Sequence, residues 1–566
     1  MQNLWNDIEA GRCRDDLALR VYTSRLLGRD RALVLHGGGN TSVKSSGDAQ
    51  AALLYVKGSG SDLAQVTSRD FSPVRLHAVQ KLIDASDLDN DGLMAALAEC
   101  VAQPNSPRPS IETLLHAVLP WKFVEHTHAD SVLAITNTEH GGAIAADVFG
   151  ELAPLVPFHA SGIDLARACY DVYRRHATER TIGLILLHHG VFAFGSSARA
   201  SYENMLHLVG LAETYLQAHG AWALTGDERP AKWLATDIAK LRHAVSGSAG
   251  FPMLLQLQDS AHWRAFARRP DLAEICEEGP ATPQHAVFVK RVPLLGTNVA
   301  RYADDYRSYV DRYRPGRTLR ELALDPAPRV IIDPLLGVWT ASVDANHAGM
   351  TAEIFRHDME IMSRAAGHDR YRGLAPAEIL HAEISYGGFE QRLRARSATT
   401  APLLGEVCLL AGPETVLSDA VGIDLAERGA VIARVGVNVD VPRDAPSPAL
   451  LWLAGEAAAG LDVLISRFGG LDVVVLNEGF EHWLTLALAL LTFAPHGGRI
   501  VLIGRQSWCA KVAMTAQRHG DSSHVRMSSV ALDDRPIESQ PAELAARIVA
   551  LCLPVAQQPA EQINGE

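Results

Sequence analysis

Cysteine is sparse and scattered in this 566-residue chain. Seven occur, at Cys13, Cys100, Cys169, Cys276, Cys408, Cys509 and Cys552, and none stands in a CxxC pair. That fits a reducing cytosol with buried thiols better than a disulfide framework or a thiolate zinc site. Long apolar runs are missing too. The longest, "LTLALALLTFA", is about half of the roughly 20 residues needed to cross a bilayer. A basic excess is also absent: 52 Lys and Arg against 65 Asp and Glu leave a net charge of -13. Broad binding to nucleic acid or an anionic membrane is thereby excluded, whereas a local phosphate pocket is not. The opening stretch "MQNLWNDIEAGRCRDDLALR" is mixed in charge and helical in pattern, without a signal-peptide core. The expectation is a cytoplasmic protein with no nucleic-acid and no membrane partner.

The composition, 48% hydrophobic and 21% charged, is that of a globular protein, and the length calls for about two to four domains. Residues 1–225 alternate strands with helices. "RALVLHGGGNTS" and "AALLYVKGSGSD" each read as a strand running into a glycine turn, and "WKFVEHTHAD" and "TIGLILLHHGVFAFG" as buried strands. "ARASYENMLHLVGLAETYLQAHG" is a long amphipathic helix ended by Gly220, and the polar "TGDERPAK" marks a boundary. Residues 226–395 form a helical and mixed middle region with no evident catalytic motif. There "HAVFVKRVPLL" and "PRVIIDPLLGVWTA" read as strands, and "RLRARSATTAP" as a linker. Residues 404–555 repeat a βαβ pattern whose continuous apolar strands, such as "LDVVVLNEG" and "GGRIVLIG", suit a parallel sheet covered on both faces. Residues 556–566 are expected to be a disordered tail. The fold class is α/β, ending in a Rossmann-like doubly wound sheet.

Several residues invite chemistry. On a strand, positions i and i+2 share a face, so His126 and His128 can hold one divalent ion. A third imidazole would make an open three-histidine site. His188 and His189 face opposite sides of their strand, so only one can join. "RPSIETLLHA" opens like a helix, with Ser110 suited to cap it and Glu112 to its positive end. Taken singly, each feature has an ordinary explanation: half-buried histidines bonded to backbone, a helix-end charge, plain glycine turns.

In order, "GGGNTSVK", "VKGSGSDL", "PSIETLLHA", "EHTHAD" and "LLHHGVFAFG" resemble the class II aldolase/adducin family. The resemblance is strongest to the longer branch of bifunctional rhamnulose-1-phosphate aldolase/short-chain dehydrogenase proteins, which "PRVIIDPLLGVWTAS" also resembles. It implies that His126, His128 and His189 bind a divalent metal, zinc in the first instance. Glu112 would be the acid/base. Asn40, Ser59, Gly60 and Ser110 would hold the phosphate of a sugar phosphate. Glycine-turn amides and a helix N-terminus suit such an anion. Many members carry two serines before the glutamate; here the second is Ile111, which removes one hydroxyl from the phosphate site. The implied reaction is reversible cleavage of a ketose 1-phosphate to dihydroxyacetone phosphate and an aldehyde such as lactaldehyde, by a homo-oligomer, a tetramer in the family. Alternatives are a sugar-phosphate 4-epimerase or a decarboxylase of the same fold, or a non-enzymatic adducin-like scaffold.

The last segment resembles a short-chain dehydrogenase that has lost its motifs. Gly412 remains in "AGPETVLSDAVG", but Val416 and Ser418 stand where that family has its later glycines. No tyrosine follows Tyr386, and Lys511 is the sole lysine beyond it, so a Tyr-x-x-x-Lys pair is impossible. A degenerate domain without functional NAD(P) is expected.

Overall fold

The computed structural model describes residues 1–45, 51–85, 88–387, 393, 395, 400–435, 449–453, 457–519, 524–532 and 541–554. The expected tail lies outside them, as does most of the expected linker. The chain divides into two compact units. The first is Met1–Thr225 with Glu274–Ala286 and Arg356–Ile379; the second is Gly226–Ala273, Val287–Phe355 and Leu380 onward. The expected middle region is thus shared between them.

The first unit is built on seven strands: β1 (Asn40–Lys44), β2 (Leu53–Lys57), β3 (Phe71–Arg75), β4 (Phe123–Thr127), β5 (Leu155–Val156), β6 (Gly183–Leu186) and β7 (Gly190–Gly195). Their order is β3-β2-β1-β4-β7-β6-β5. All neighbours are antiparallel except β5 and β6. Both faces are covered. Val191 and Ala193 join one core with Leu26, Val132 and Met205; Phe192 and Phe194 join another with Val56, Leu114 and Val124. The alternation along β7 follows from the strand's period of two. The long helix Ala198–Ala218 is present as expected, capped by Ser197, whose side chain accepts from the Ala200 amide.

Two sequence expectations are corrected. The apolar run at 32–35 is a buried loop, and the strand starts only at Asn40. Its carbonyls are taken by distant amides: His128 donates to Leu33 (3.0 Å) and Asp130 to Ala32 (2.9 Å). "HAVFV" is helical, not extended, within Pro283–Val289. Pro283 presets the first helical φ, and the Thr282 hydroxyl accepts from the His285 amide (3.3 Å).

The second unit contains two sheets. β8 (Leu254–Gln258), β9 (Leu294–Leu295), β10 (Val330–Asp333) and β11 (Gly337–Ser342) order as β8-β11-β10-β9. The other sheet is wholly parallel: β12 (Val407–Ala411), β13 (Val431–Val435), β14 (Leu450–Leu453), β15 (Val473–Asn477), β16 (Gly498–Gly504) and β17 (Val525–Ala531), in the order β14-β13-β12-β15-β16-β17. One continuous apolar core joins Ile238, Leu254 and Trp339 to Leu409, Val474 and Leu502, which is why residues on either side of position 400 fold together. A buried ion pair pins this arrangement: Arg242 meets Asp472 at 2.7 Å, and Asp472 also accepts the Val407 amide. No helix among the described residues is long and apolar enough to cross a membrane.

Candidate active site

Strand register sets the site. β4 lies between β1 and β7, so Asn40 stands across from His126 on one side and Phe192 on the other. Phe192 stacks on the His126 ring, with centroids 4.3 Å apart and planes at 14°. His128 follows the end of β4, on the same side as His126. His188 and His189 lie in the turn between β6 and β7, not on a strand as expected. His188 takes a positive φ of 56°, and His189 alone turns toward the pair. Gly190 follows at φ 156°, and a Cβ there would lie 2.2 Å from the Thr127 carbonyl and 3.2 Å from each of the His126 and His128 rings. The glycine after His189 is therefore required by close approach.

His126, His128 and His189 each offer a ring nitrogen, all within 4.8 Å of one another. His126 and His128 face each other through Nε2 at 3.1 Å. Their other nitrogens are occupied: Nδ1–H of His126 donates to the Val191 carbonyl (3.2 Å), and that of His128 to the Gln284 side-chain oxygen (2.7 Å). Such bonds fix the tautomer and leave the Nε2 lone pairs free. Burial keeps the rings neutral. It holds His126 well below the usual imidazole range against the pull of Glu112, and pushes His128 down to about 4 with His189 adding to the effect. Three imidazoles converging on one point are a donor set that fits a divalent ion.

Glu112 is no helix-end decoration. The helix Thr113–Val118 begins after it; Glu112 occupies the cap position, but its side chain makes no cap bond, and Ser110 does not cap the helix either. The carboxylate instead points at the histidines, with Oε1 3.2 Å from His189 Nε2 and Oε2 3.7 Å from His126 Nε2. Burial would raise its pKa, but the imidazoles of His126 and His189 and the Asn40 amide outweigh that and hold it well below the ordinary carboxylate range.

A buried hydrogen-bond chain orients it. Asn40 Nδ2 donates to Glu112 Oε2 (2.6 Å). That leaves Asn40 Oδ1 to accept from His116 Nε2–H, and His116 Nδ1 to accept from the Ser42 hydroxyl (2.8 Å). His116 is pushed down to about 3 by burial, so the chain stays uncharged up to Glu112. On the other oxygen, Ser161 donates to Glu112 Oε1 (3.2 Å).

The remaining sequence-chosen residues lie on adjoining turns. Ser59 donates its amide to the Arg108 carbonyl (3.1 Å), and Gly58 bridges Pro109. The Glu112 amide donates to the Ser110 hydroxyl (3.3 Å). Gly60 is exposed with open space at its Cβ position, while a Cβ on Gly37 would sit 3.3 Å from Gly60 Cα. Gly39 adopts φ 61°, and a Cβ there would press 2.7 Å from the His126 carbonyl.

Sequence reasoning missed four contributors. His116 sits four residues after Glu112, on the helix that Glu112 precedes, a spacing that was available to read. Lys57 directly precedes the SG turn. It is buried, donates to the Gly37 carbonyl (3.2 Å), and is pushed down to about 8 by burial, partly offset by Asp62 and Glu112. Ser161 and Gln284 carry no local signal.

Comparison with known proteins places two segments of the chain in a family. Residues 18–216 match the class II aldolase and adducin N-terminal domain, and residues 233–392 match the aldolase class II second domain. A protein of Bacillus subtilis (strain 168) named uncharacterized oxidoreductase YuxG is 26% identical over 524 residues, spanning 85% of this chain and 75% of that protein. Among solved structures, the N-terminal class II aldolase domain of a conserved Thermoplasma acidophilum protein is 34% identical, covering 38% of this chain and 99% of that one at a TM-score of 0.35. An L-fuculose-1-phosphate aldolase from Thermus thermophilus is 17% identical, covering 36% and 93% at a TM-score of 0.25. Through residues 18–216, the chain belongs to the class II aldolase and adducin family.

Proposed function

We propose that this protein is a metal-dependent aldolase that reversibly cleaves a ketose 1-phosphate of the rhamnulose 1-phosphate kind, giving dihydroxyacetone phosphate and an aldehyde such as lactaldehyde. The observation that carries the reading is geometric: the Glu112 carboxylate lies 3.2 Å from His189 Nε2 and 3.7 Å from His126 Nε2, beside the cluster of three imidazoles. A divalent ion held by His126, His128 and His189, zinc in the first instance, would polarise the ketose carbonyl and offset the charge of the enediolate formed as the C3–C4 bond breaks. Glu112 accepts the proton released by the C4 hydroxyl as that bond breaks, and returns it to C3 of the three-carbon fragment. Asn40 and Ser161 hold the two carboxylate oxygens in place. The turns around Asn40, Ser59 and Gly60, with Ser110, receive the phosphate, and buried Lys57 adds positive charge beside them.

The test is product analysis. Metal-loaded protein is incubated with a panel of ketose 1-phosphates, and dihydroxyacetone phosphate is measured by an independent coupled enzyme. Release of both fragments is expected. Inversion at a carbinol without fragmentation would make it an epimerase, release of carbon dioxide from an acid analogue would make it a decarboxylase, and inertness with full metal would favour a scaffold.

A further inference from the structure

The segment Glu274–Ala286 comes from the second family match, yet it folds into the first unit. It delivers one side chain to the histidine cluster. Gln284 Oε1 accepts from His128 Nδ1 at 2.7 Å, and Gln284 Nε2 donates to the Leu35 carbonyl at 2.8 Å. These two bonds admit one reading. A carbonyl only accepts, so the amide nitrogen must face Leu35 and the amide oxygen must face His128. His128 must then carry its proton on Nδ1, which exposes the Nε2 lone pair toward His126 and His189. The amide is firmly seated. A Cβ on Gly38 would collide with it, at 2.3 Å from Oε1. The segment itself is anchored by the Ala281 amide donating to buried Asp358 (2.9 Å) and by Asn137 donating to the Ala281 carbonyl (2.8 Å).

We propose that Gln284 is a positioning residue of the metal centre: its amide oxygen locks His128 in the metal-binding tautomer. The aldolase site is therefore completed by the second family segment. This rests on the reading of His126, His128 and His189 as metal ligands. Partners of this kind typically contribute about 10- to 100-fold in metal affinity.

The experiment measures affinity of the full-length apoprotein for Zn2+ and Co2+ by competition with a chromogenic chelator, with thermal melting of each apoprotein as the check on folding. Gln284→Met removes both bonds while keeping length. Gln284→Glu keeps an acceptor for His128 but loses the donor to Leu35. The expected result is a loss of about 10- to 100-fold for Gln284→Met, near-complete rescue in Gln284→Glu, and a weakened Co2+ absorption band only in Gln284→Met. A residue that merely fastened the loop would give equal losses in both variants. Equal losses, or wild-type affinity in Gln284→Met, would overturn the assignment. If Gln284→Met does not fold, a Gln284→Glu affinity at least tenfold below wild type overturns it and one near wild type sustains it. If wild-type protein binds no metal, or His126→Ala binds it fully, the ligand reading fails instead and removes the premise.

Discussion

The first unit gathers a cluster of titratable side chains beside its sheet, whereas the second opens a cleft at the strand ends of its parallel sheet. In the first unit, β4, the β6–β7 turn and the start of the helix Thr113–Val118 bring three imidazoles and a carboxylate together, with His126, His128 and Glu112 oriented by buried partners. In the second unit, the parallel sheet reverses its order between β12 and β15, where doubly wound folds bind ligands. A cleft opens there, lined by Gly412, Glu414, Thr415, Arg434, Trp452 and Asn477 among others. Its polar groups are largely committed to one another. Thr415 and Ser418 close a reciprocal capping box over the start of the helix Val416–Glu427. Arg434 pairs with Asp419 at 2.6 Å and donates to the Ser418 carbonyl. The difference teaches that apolar strands build a fold without themselves supplying chemistry, because packing and proton transfer depend on different residues.

The strongest way to break the comparison is at the histidines. Replacing His126, His128 or His189 by alanine is expected to strip the metal and abolish turnover in a folded chain, since on the proposed reading each would supply a third of the ligand set. His188→Ala should keep both. Elemental analysis of purified variants decides it: full metal in His128→Ala, or loss in His188→Ala with retention in His189→Ala, would show that the ligands are misassigned.

Glu112→Gln comes next. The amide keeps the shape and some hydrogen bonds but has no basic oxygen. Metal should remain while the rate falls by about two to four orders of magnitude, the usual worth of general acid–base catalysis. Turnover at the wild-type rate would remove Glu112 from the proton path.

A smaller effect concerns stability. Asp358 lies wholly buried in the first unit, and burial pushes its carboxyl up to about 8, with nearby Asp130 adding to the shift. Unfolded, the group titrates near 3.9. Between these values the folded state holds one more proton than the unfolded state, so this group's contribution to stability falls as pH rises from about 4 to 8. Asp358→Asn stays neutral throughout and should flatten that decline. Urea midpoints at pH 5 and pH 8 test this; an unchanged difference between the two pH values in the variant would show that Asp358 is ionised in the fold.

Much of the site was legible because its residues cluster in short motifs. His126 and His128 share a strand face by spacing alone, and the order of the glycine turns, Glu112 and the final His189–Gly190 pair carried the rest. The β12–β17 pattern was equally plain, since strands buried on both faces are apolar without interruption. What stayed hidden depends on contacts far apart in sequence. Gln284 reaches His128 across 156 positions, and no local pattern marks it. "HAVFV" has the β-branched and aromatic content of a strand, yet Thr282 and Pro283 start a helix there. The 32–35 run is apolar because it is buried, but its carbonyls serve the amides of His128 and Asp130 rather than a neighbouring strand.

The smallest expected effect is none at all, and it bears on the second unit. We predict no hydride transfer by the C-terminal sheet, although the Bacillus subtilis relative is named an oxidoreductase. A dehydrogenase of the resembled kind needs a tyrosine to move the alcohol proton, and none follows Tyr386. Two other groups near the strand ends are poor substitutes. Ser507 is a hydroxyl too basic to lose a proton easily at neutral pH. Cys509 is buried, its thiol is pushed up by burial and then by Glu478, and it donates to the Gly504 carbonyl. The cradle for a pyrophosphate is also impaired. Glu414 places a carboxylate at the turn after β12, and a Cβ on Gly412 would lie 2.1 Å from the Asn477 amide, so the turn is already packed. The positive charge of Arg505 is already paired with Glu478. The assay mixes full-length protein with NAD or NADP and lactaldehyde or short alcohols, and follows absorbance at the nicotinamide band. Reduction that scales with protein and persists in the metal-free His128→Ala variant would overturn the prediction, and would give the second unit a chemistry of its own.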